Sequence, residues 1–189
     1  MKQKIVLIGA STGGPGHLKK ILSAMSDDFS MSIIIAQHMN GTFIPSFINQ
    51  FNSELRANVN SIDSPLELKP TNIYICPNNC RIYKQDFTIK VEPFLGIETP
   101  YNPSVDTLFF SAVPYCHEAD ILAVLLTGIG QDGANGMNEL QKNGAQCIAE
   151  NEKSAIVYGM PKRALEINPN IQSQHLDDII LSIKKFGER

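Results

Sequence analysis

Short apolar runs alternate with amphipathic stretches along almost the whole of this 189-residue chain. The runs are four to six residues long, which is typical of strands, and the stretches between them carry apolar residues at helical spacing. Strands that alternate with helices predict a parallel sheet covered on both faces. The predicted strands cover residues 4–8, 32–36, 59–62, 72–75, 121–126 and 146–149. The predicted helices cover residues 16–25, 45–55, 104–113, 134–143, 161–166 and 176–186. The sequence therefore predicts a doubly wound, mostly parallel α/β sheet flanked by helices, in a single domain over residues 1–189.

One segment, residues 81–91, breaks this alternation. Its two short strand-like halves meet at Gln85-Asp86, which predicts an antiparallel β-hairpin. Residues 92–103 contain three prolines and one glycine, and we expect an ordered surface loop there. Pro103 or Ser104 then lies near the N-cap of the next helix.

Charge and hydropathy exclude several classes of partner. The net charge is −3, and no basic cluster extends beyond Lys19-Lys20 and Lys184-Lys185. Nucleic acid and anionic membranes are therefore not expected partners. The sequence contains no apolar run of membrane-spanning length, and its first residues enter a strand rather than a signal-peptide core. We expect no stable membrane insertion and a cytoplasmic location.

The cysteines and histidines are too scattered to predict a metal or another cofactor. Two cysteines bracket a Pro-Asn-Asn turn, which leaves a metal site there conceivable, but reduced thiols are the expectation for a cytosolic chain. The histidines have no ligand spacing. One lies on the first predicted helix, where we expect it at the surface, and two lie in connecting segments. The residues concerned are Cys76, Cys80, Cys116 and Cys147, with His17 on the helix and His117 and His175 in the connections.

The first strand runs into a turn that carries a candidate nucleophile. Gly9-Ala10-Ser11-Thr12-Gly13 matches the G-x-S-x-G pattern, in which small neighbours leave a serine hydroxyl exposed at a sharp bend. A helix N-cap or a phosphate ligand would explain the serine equally simply. A dinucleotide fingerprint would need glycine in place of Ser11, and a P-loop would need Gly-Lys-Ser/Thr where Pro15 follows two glycines. The sequence therefore disfavours both kinds of nucleotide-binding loop.

Two further strands end in residues that suit acyl chemistry. His38 follows the second strand, and Asp132 follows the fifth strand between two glycines. A serine nucleophile needs a base within hydrogen-bond reach, and that base needs an orienting carboxylate. Because the carboxyl ends of parallel strands meet at one edge, Ser11, His38 and Asp132 are a candidate catalytic triad. The simpler interpretations are a structural histidine and an aspartate that serves a turn or cap.

Five segments, in order, resemble the catalytic domain of the bacterial chemotaxis protein-glutamate methylesterases, the CheB family. They are IGASTGGP (8–15), AQHM (36–39), NPSVDTLF (102–109), LLTGIGQDGANGM (125–137) and YGMP (158–161). The resemblance extends over nearly the whole chain. The fold that it implies, a doubly wound parallel sheet with an antiparallel hairpin, agrees with the fold predicted from periodicity.

The resemblance also implies an activity and a set of residue roles. The activity is hydrolysis of γ-glutamyl methyl esters on methyl-accepting chemoreceptors, with release of methanol and often with deamidation of receptor glutamines. The family's triad corresponds to Ser11, His38 and Asp132. The Ile129 N–H is the leading oxyanion donor, and Thr12 is a second donor or a group that positions His38. No cofactor is implied, and the expected partners are chemoreceptors and other chemotaxis signalling proteins.

The chain departs from the family pattern in four places. The family's usual architecture places a phosphorylatable receiver domain first, and we expect none within residues 1–189, so control by phosphorylation in cis is not carried over. Ile129 replaces a common methionine, Asn102 replaces a common arginine, and the turn at residues 76–79 lacks the frequent Pro-Gly. Weaker or different receptor docking would follow from the change at Asn102. A catalytically silent interaction domain and a small-molecule esterase or amidase are the alternatives.

Overall fold

The computed structural model describes residues 2–188, which form ten strands and six α-helices within that range. The strands are β1 (Gln3–Ala10), β2 (Ser32–Gln37), β3 (Asn58–Ser61), β4 (Leu66–Glu67), β5 (Asn72–Ile75), β6 (Cys80–Gln85), β7 (Thr88–Pro93), β8 (Ala119–Leu125), β9 (Gln146–Glu150) and β10 (Gln172–Gln174). Seven of them form one parallel sheet in the order β10-β9-β8-β1-β2-β5-β3.

The helices cover both faces of this sheet. They are α1 (Gly14–Ser23), α2 (Ile44–Glu54), α3 (Val105–Ala112), α4 (Ala134–Lys142), α5 (Met160–Ile167) and α6 (Leu176–Phe186). Alternate residues of β1 point to opposite faces, as the two-residue period of a strand requires. Ile5 and Leu7 pack with α3, α4 and α5, whereas Val6 and Ile8 pack with α1, α2 and α6. Across residues 2–188, no helix has the length and apolar character needed to cross a bilayer.

A smaller antiparallel sheet, ordered β4-β7-β6, lies beside the main one. Its β6–β7 pair is the predicted hairpin, but the predicted turn at Gln85-Asp86 is wrong by one residue. Gln85 pairs with Thr88, so the turn residues are Asp86 and Phe87, with φ of 49° and 65°. A two-residue hairpin turn of this type needs positive φ at both positions, and pattern reasoning favoured the more usual turn formers.

The predicted α/β fold class is confirmed, and the bounds of its elements are close to those expected. The first helix begins at Gly14 instead of residue 16, because Gly13 turns the chain at a φ of 84° and Pro15 fits the first helical turn. Ser104 is the N-cap of α3, and its hydroxyl accepts a hydrogen bond from the Thr107 N–H. The short strands β4 and β10 carry too few residues to show an alternating pattern, and periodicity missed them.

The order of the strands fixes where a site is expected. From the central β1, the chain builds β2, β5 and β3 on one side and β8, β9 and β10 on the other. The connection after β1 therefore runs to one side and the connection after the adjacent β8 runs to the other, and a crevice opens outside the carboxyl ends of these two strands.

Candidate active site

Ser11 lies at the bend between β1 and α1, held by backbone and side-chain hydrogen bonds. Its N–H donates to the Thr127 carbonyl (3.0 Å), and its own carbonyl accepts from the Gly14 N–H (2.9 Å) and from Gln37 Nε2 (2.9 Å). The residue is 8% exposed. The neighbouring ends of β1, β2 and β8 thus fix the Ser11 backbone.

Gly128 packs directly against the serine. A Cβ on Gly128 would lie 2.7 Å from the Ser11 Cβ and 2.3 Å from the Met160 Sδ. Its carbonyl accepts from the N–H groups of Gly159 and Met160, which ties this loop to the start of α5. Glycine is required at this position because the backbone approaches the serine too closely for a side chain.

His38 is the strand-end neighbour of Ser11. Ala10 pairs with Gln37 in the β1–β2 register, and the His38 N–H donates to the Ala10 carbonyl (2.9 Å). The His38 Nε2 lies 2.7 Å from Asp132 Oδ2, which leaves Nδ1 available to Ser11. Among residues 2–188, the Ser11 hydroxyl makes no hydrogen bond to His38; such contacts often tighten only when substrate binds.

Asp132 is buried and saturated with hydrogen bonds. Besides His38, its carboxylate accepts from the Ser104 hydroxyl (3.1 Å) and from the N–H groups of Val105 (2.7 Å) and Asp106 (2.9 Å). Burial acts to raise the pKa of Asp132, but the hydrogen bonds from His38, Asp106 and Val105 outweigh it and the pKa lies below its ordinary value. Asp132 therefore both caps α3 and stays ionised next to the imidazole.

Tyr101 is a site residue that sequence reasoning missed. Its ring is stacked on the His38 ring, with centroids 4.4 Å apart and planes inclined by 6°. A Cβ on Gly130 would lie 2.6 Å from the Tyr101 hydroxyl, so the same side chain also packs on the loop after β8. Tyr101 belongs to the proline-rich loop before α3, where no periodicity shows which way a side chain points.

Asparagine side chains anchor the loop that carries Tyr101. The Asn79 N–H donates to Asn102 Oδ1 (2.7 Å), and Asn102 Nδ2 donates to Asn78 Oδ1 (3.1 Å). Asn79 Oδ1 in turn accepts from the Ser104 N–H (2.7 Å). The unusual Asn78-Asn79 turn and the unusual Asn102 therefore bind each other, and together they hold the N-terminus of α3 against Asp132.

A second carboxylate, Asp106, lies beside Asp132 and was also missed. Its Oδ1 accepts from the Gly136 N–H (2.7 Å), which links α3 to α4. Burial raises the pKa of Asp106 to about 6; the hydrogen bond from Gly136 opposes the shift, and the negative charge of Asp132 adds to it. The available signal in the sequence was that Asp106 follows Ser104, the N-cap of α3, by two residues. Acidic residues are common in the first turn of a helix, so this position did not single out Asp106 as a site residue.

The surface position expected for His17 is wrong. His17 is 6% exposed and faces the sheet, where its Nδ1 lies 3.2 Å from both carboxylate oxygens of the fully buried Glu150. Glu150 is the last residue of β9, whose carboxyl end reaches under α1. Glu150 was not identified from the sequence, because a glutamate after a short apolar run is typical of a strand that emerges into solvent.

The two candidate oxyanion donors flank Ser11 on either side. Thr12 follows the serine directly, and Ile129 follows Gly128. Neither backbone N–H donates a hydrogen bond to any other group within residues 2–188. The Ile129 side chain is 62% exposed, so the loop presents its backbone to the site and its side chain to solvent.

The four cysteines are free and buried. Over residues 2–188, no cluster of three or more His, Cys, Asp or Glu side chains has the geometry to hold a metal ion. Cys76 and Cys80 flank the Asn78-Asn79 turn, and a hydrogen bond to Cys80, together with burial, raises the pKa of the Cys76 thiol.

Comparison with known proteins identifies the family. Residues 6–183 match the family model described as CheB methylesterase. The chain belongs to the CheB methylesterase family. The crystal structure of the Thermotoga maritima CheB methylesterase catalytic domain superimposes with a TM-score of 0.90 at 28% identity, covering 98% of this chain and 99% of that one.

Curated relatives of the CheB methylesterase family carry two activities in their names. A protein-glutamate methylesterase/protein-glutamine glutaminase from Syntrophus aciditrophicus is 40% identical over 185 residues, covering 93% of this chain and 52% of the relative. The protein of the same name from Halalkalibacterium halodurans is 35% identical over 188 residues, covering 98% of this chain and 54% of the relative. The chain thus spans about half the length of these relatives.

Proposed function

We propose that this chain hydrolyses γ-glutamyl methyl esters on methyl-accepting chemoreceptors, giving glutamate and methanol. The observation that carries the proposal is the hydrogen bond of 2.7 Å between His38 Nε2 and Asp132 Oδ2, next to Ser11 at the ends of adjacent strands. The names of the full-length relatives supply the substrate class, since those proteins act on protein glutamate esters and glutamine amides.

The mechanism follows from the roles that these groups can take. His38 Nδ1 removes the Ser11 hydroxyl proton as the oxygen attacks the ester carbonyl, and Asp132 stabilises the imidazolium that forms. The N–H groups of Ile129 and Thr12 donate to the oxyanion. His38 then protonates the departing methoxide, and methanol leaves. Water, deprotonated by His38, attacks the acyl-serine and releases the glutamate with Ser11 restored. The same steps deamidate glutamine, with ammonia as the leaving group.

The surroundings of Ser11 favour a protein substrate over a small ester. Ile129 is 62% exposed and Ile156 is 67% exposed, and a Cβ on Gly13 would lie 2.8 Å from the Ile156 Cβ. Two exposed isoleucines therefore flank the nucleophile loop. Exposed apolar side chains around a reactive group suit docking of another protein's surface. A silent interaction domain would need Asp132 to cap α3 but would not need His38 paired with it at the strand end next to Ser11.

The remaining expectations belong to the same proposal. Residues 1–189 act as one catalytic domain, without cis control by a receiver domain inside that range. The cytoplasm is the proposed compartment, in keeping with four cysteines that remain free thiols. Chemoreceptors are the proposed substrates, and other chemotaxis proteins are the proposed partners.

The test is methanol release from receptor membranes that carry labelled methyl esters. Wild-type protein is expected to release labelled methanol, and Ser11→Ala is expected to release none while keeping a wild-type circular dichroism spectrum. Ammonia release from receptor glutamines, measured with the same pair, tests the deamidase reaction. Equal methanol release by the two proteins would contradict the proposal.

A further inference from the structure

A buried pair of titratable groups lies behind the nucleophile and takes no part in the mechanism above. Glu150 is fully buried at the end of β9, and His17 of α1 is 6% exposed. The His17 Nδ1 lies 3.2 Å from each carboxylate oxygen of Glu150. A buried carboxyl group is costly to the fold unless it is paired and hydrogen-bonded. A buried pair at this depth calls for an explanation beyond packing.

The carboxylate connects to the serine through a single residue. Glu150 Oε2 accepts from the Thr127 N–H (2.8 Å), and the Thr127 carbonyl accepts from the Ser11 N–H (3.0 Å). The Thr127 hydroxyl donates to the Thr12 carbonyl (2.8 Å) and accepts from the Val157 N–H (2.9 Å). Thr127 is fully buried, so water does not compete for these bonds.

We propose that Glu150 is a positioning residue for Ser11, held in place by His17 and acting through Thr127. The inference rests on the proposed function only in taking Ser11 as the nucleophile. One carboxylate oxygen fixes the Leu126–Thr127 peptide through its N–H and so orients Thr127, whose carbonyl accepts from the Ser11 N–H and whose hydroxyl donates to the Thr12 carbonyl. Neither Glu150 nor His17 contacts the Ser11 hydroxyl, so both act on the orientation of the nucleophile and not on proton transfer.

The length of the side chain is what this role requires, more than its charge. The substitution Glu150→Gln keeps an acceptor oxygen at the same distance from the Thr127 N–H and places an uncharged amide group beside His17. The substitution Glu150→Asp keeps the charge but withdraws the acceptor by one methylene, which leaves the Thr127 N–H without its bond. A purely ionic or structural role for the His17–Glu150 pair predicts the opposite order, with the charge-retaining variant closer to wild type.

The experiment compares Glu150→Gln with Glu150→Asp on p-nitrophenyl acetate, an activated ester that needs no receptor. We expect Glu150→Gln to keep kcat within about threefold of wild type, since an amide oxygen still accepts the bond. We expect Glu150→Asp to lower kcat on the order of 10²-fold, as misplaced reacting groups do, with KM little changed. Thermal unfolding by circular dichroism establishes that each variant is folded at the assay temperature, and Ser11→Ala gives the background rate.

Each outcome decides one of the two proposals. Equal kcat for the two Glu150 variants, or a higher kcat for Glu150→Asp, overturns the positioning role. If Glu150→Asp does not fold, Glu150→Gln decides, because a loss of kcat on the order of 10²-fold in that folded isostere also overturns it. Labelling of wild-type Ser11 by a fluorophosphonate without methanol release from receptors counts against the proposed substrate and leaves the Glu150 comparison valid. If wild-type Ser11 reacts with neither p-nitrophenyl acetate nor the fluorophosphonate, both the positioning role and the proposed function are contradicted.

Discussion

The His38 ring lies face to face with the Tyr101 ring, with centroids 4.4 Å apart and planes inclined by 6°. The Asp132 hydrogen bond fixes one ring nitrogen of His38, but a single bond still allows the imidazole to swing about it. The stacked tyrosine removes that freedom, because the imidazole plane must remain parallel to its neighbour. Two contacts of different kinds therefore set the direction in which His38 Nδ1 points.

Tyr101 is accordingly expected to contribute to turnover without supplying a reacting group. For Tyr101→Leu we expect kcat to fall about tenfold, the scale of a lost aromatic stack, with a smaller change in KM. Tyr101→Phe keeps the ring and serves as the matched control, with turnover close to wild type. Steady-state kinetics on an ester substrate measures both. Equal losses in the two variants would assign the effect to the hydroxyl and its contact with Gly130 instead.

Asp132→Asn is expected to lower kcat on the order of 10⁴-fold, by analogy with triads in which the orienting aspartate is replaced. The amide carries no negative charge to stabilise the imidazolium, and its NH₂ group can donate to His38 Nε2 and fix the wrong tautomer. Asp106→Asn is the control, since it changes the neighbouring carboxylate and leaves the His38 contact intact. A loss below about tenfold for Asp132→Asn would mean that another group orients His38.

The pair Asp132 and Asp106 should give opposite dependences of stability on pH. The pKa of folded Asp106 is raised from 3.8 to about 6, so the folded state binds more protons than the unfolded state in that window. Its contribution to stability therefore falls as pH rises from about 4 to above about 6. The pKa of folded Asp132 is lowered from 3.8, so its contribution is present above that pH and is lost as pH falls below it.

The contribution of Asp106 to the pH dependence of stability can be tested separately by mutation. Asp106→Asn removes the raised group, and we expect the Tm of the variant minus the Tm of wild type to increase between about pH 4 and about pH 7. Thermal unfolding followed at several pH values in one buffer series measures that difference. A difference that stays constant across the window, or decreases with pH, would contradict the assignment.

Gly128→Ala is expected to abolish turnover, because the new Cβ would lie 2.7 Å from the Ser11 Cβ and 2.3 Å from the Met160 Sδ. Gly16→Ala is the matched control, since a Cβ there meets no other atom within 4 Å and alanine favours a helix. We expect the control to keep full turnover with an unchanged or slightly higher Tm. Activity assays and thermal unfolding on both variants check this. An active Gly128→Ala would show that the loop after β8 can move enough to accommodate a side chain, and would contradict the prediction.

Positions at the ends of strands were the easiest to predict from the sequence. Ser11, His38 and Asp132 follow strands whose apolar runs were clear, and parallel strands bring their carboxyl ends together whatever the details of packing. Tyr101 escaped prediction because its position depends on a loop held by Asn78, Asn79 and Asn102 across 23 to 24 residues of chain. Such long-range side-chain bonds leave no periodic signal.

His17 and Glu150 escaped for a different reason. Their residue types are typical of the protein surface, and they are buried here because each is the partner of the other across 133 residues and Glu150 also accepts from the Thr127 N–H. The turn of the hairpin shifted by one residue because Asp86 and Phe87 adopt positive φ, a choice made by strand pairing and not by local preference. In each case tertiary contacts decided what local sequence left open.

The most direct test of the account is to trap the acyl-serine. A receptor peptide with a glutamyl methyl ester is mixed with wild-type protein, quenched in acid within the first turnover, digested and analysed by mass spectrometry. The account predicts a peptide containing Ser11 joined to the receptor glutamyl group through an ester, with one methanol lost, and no such adduct in Ser11→Ala. Methanol release by wild type with an adduct on another residue, or equal release by Ser11→Ala, would contradict the claim that Ser11 is the nucleophile.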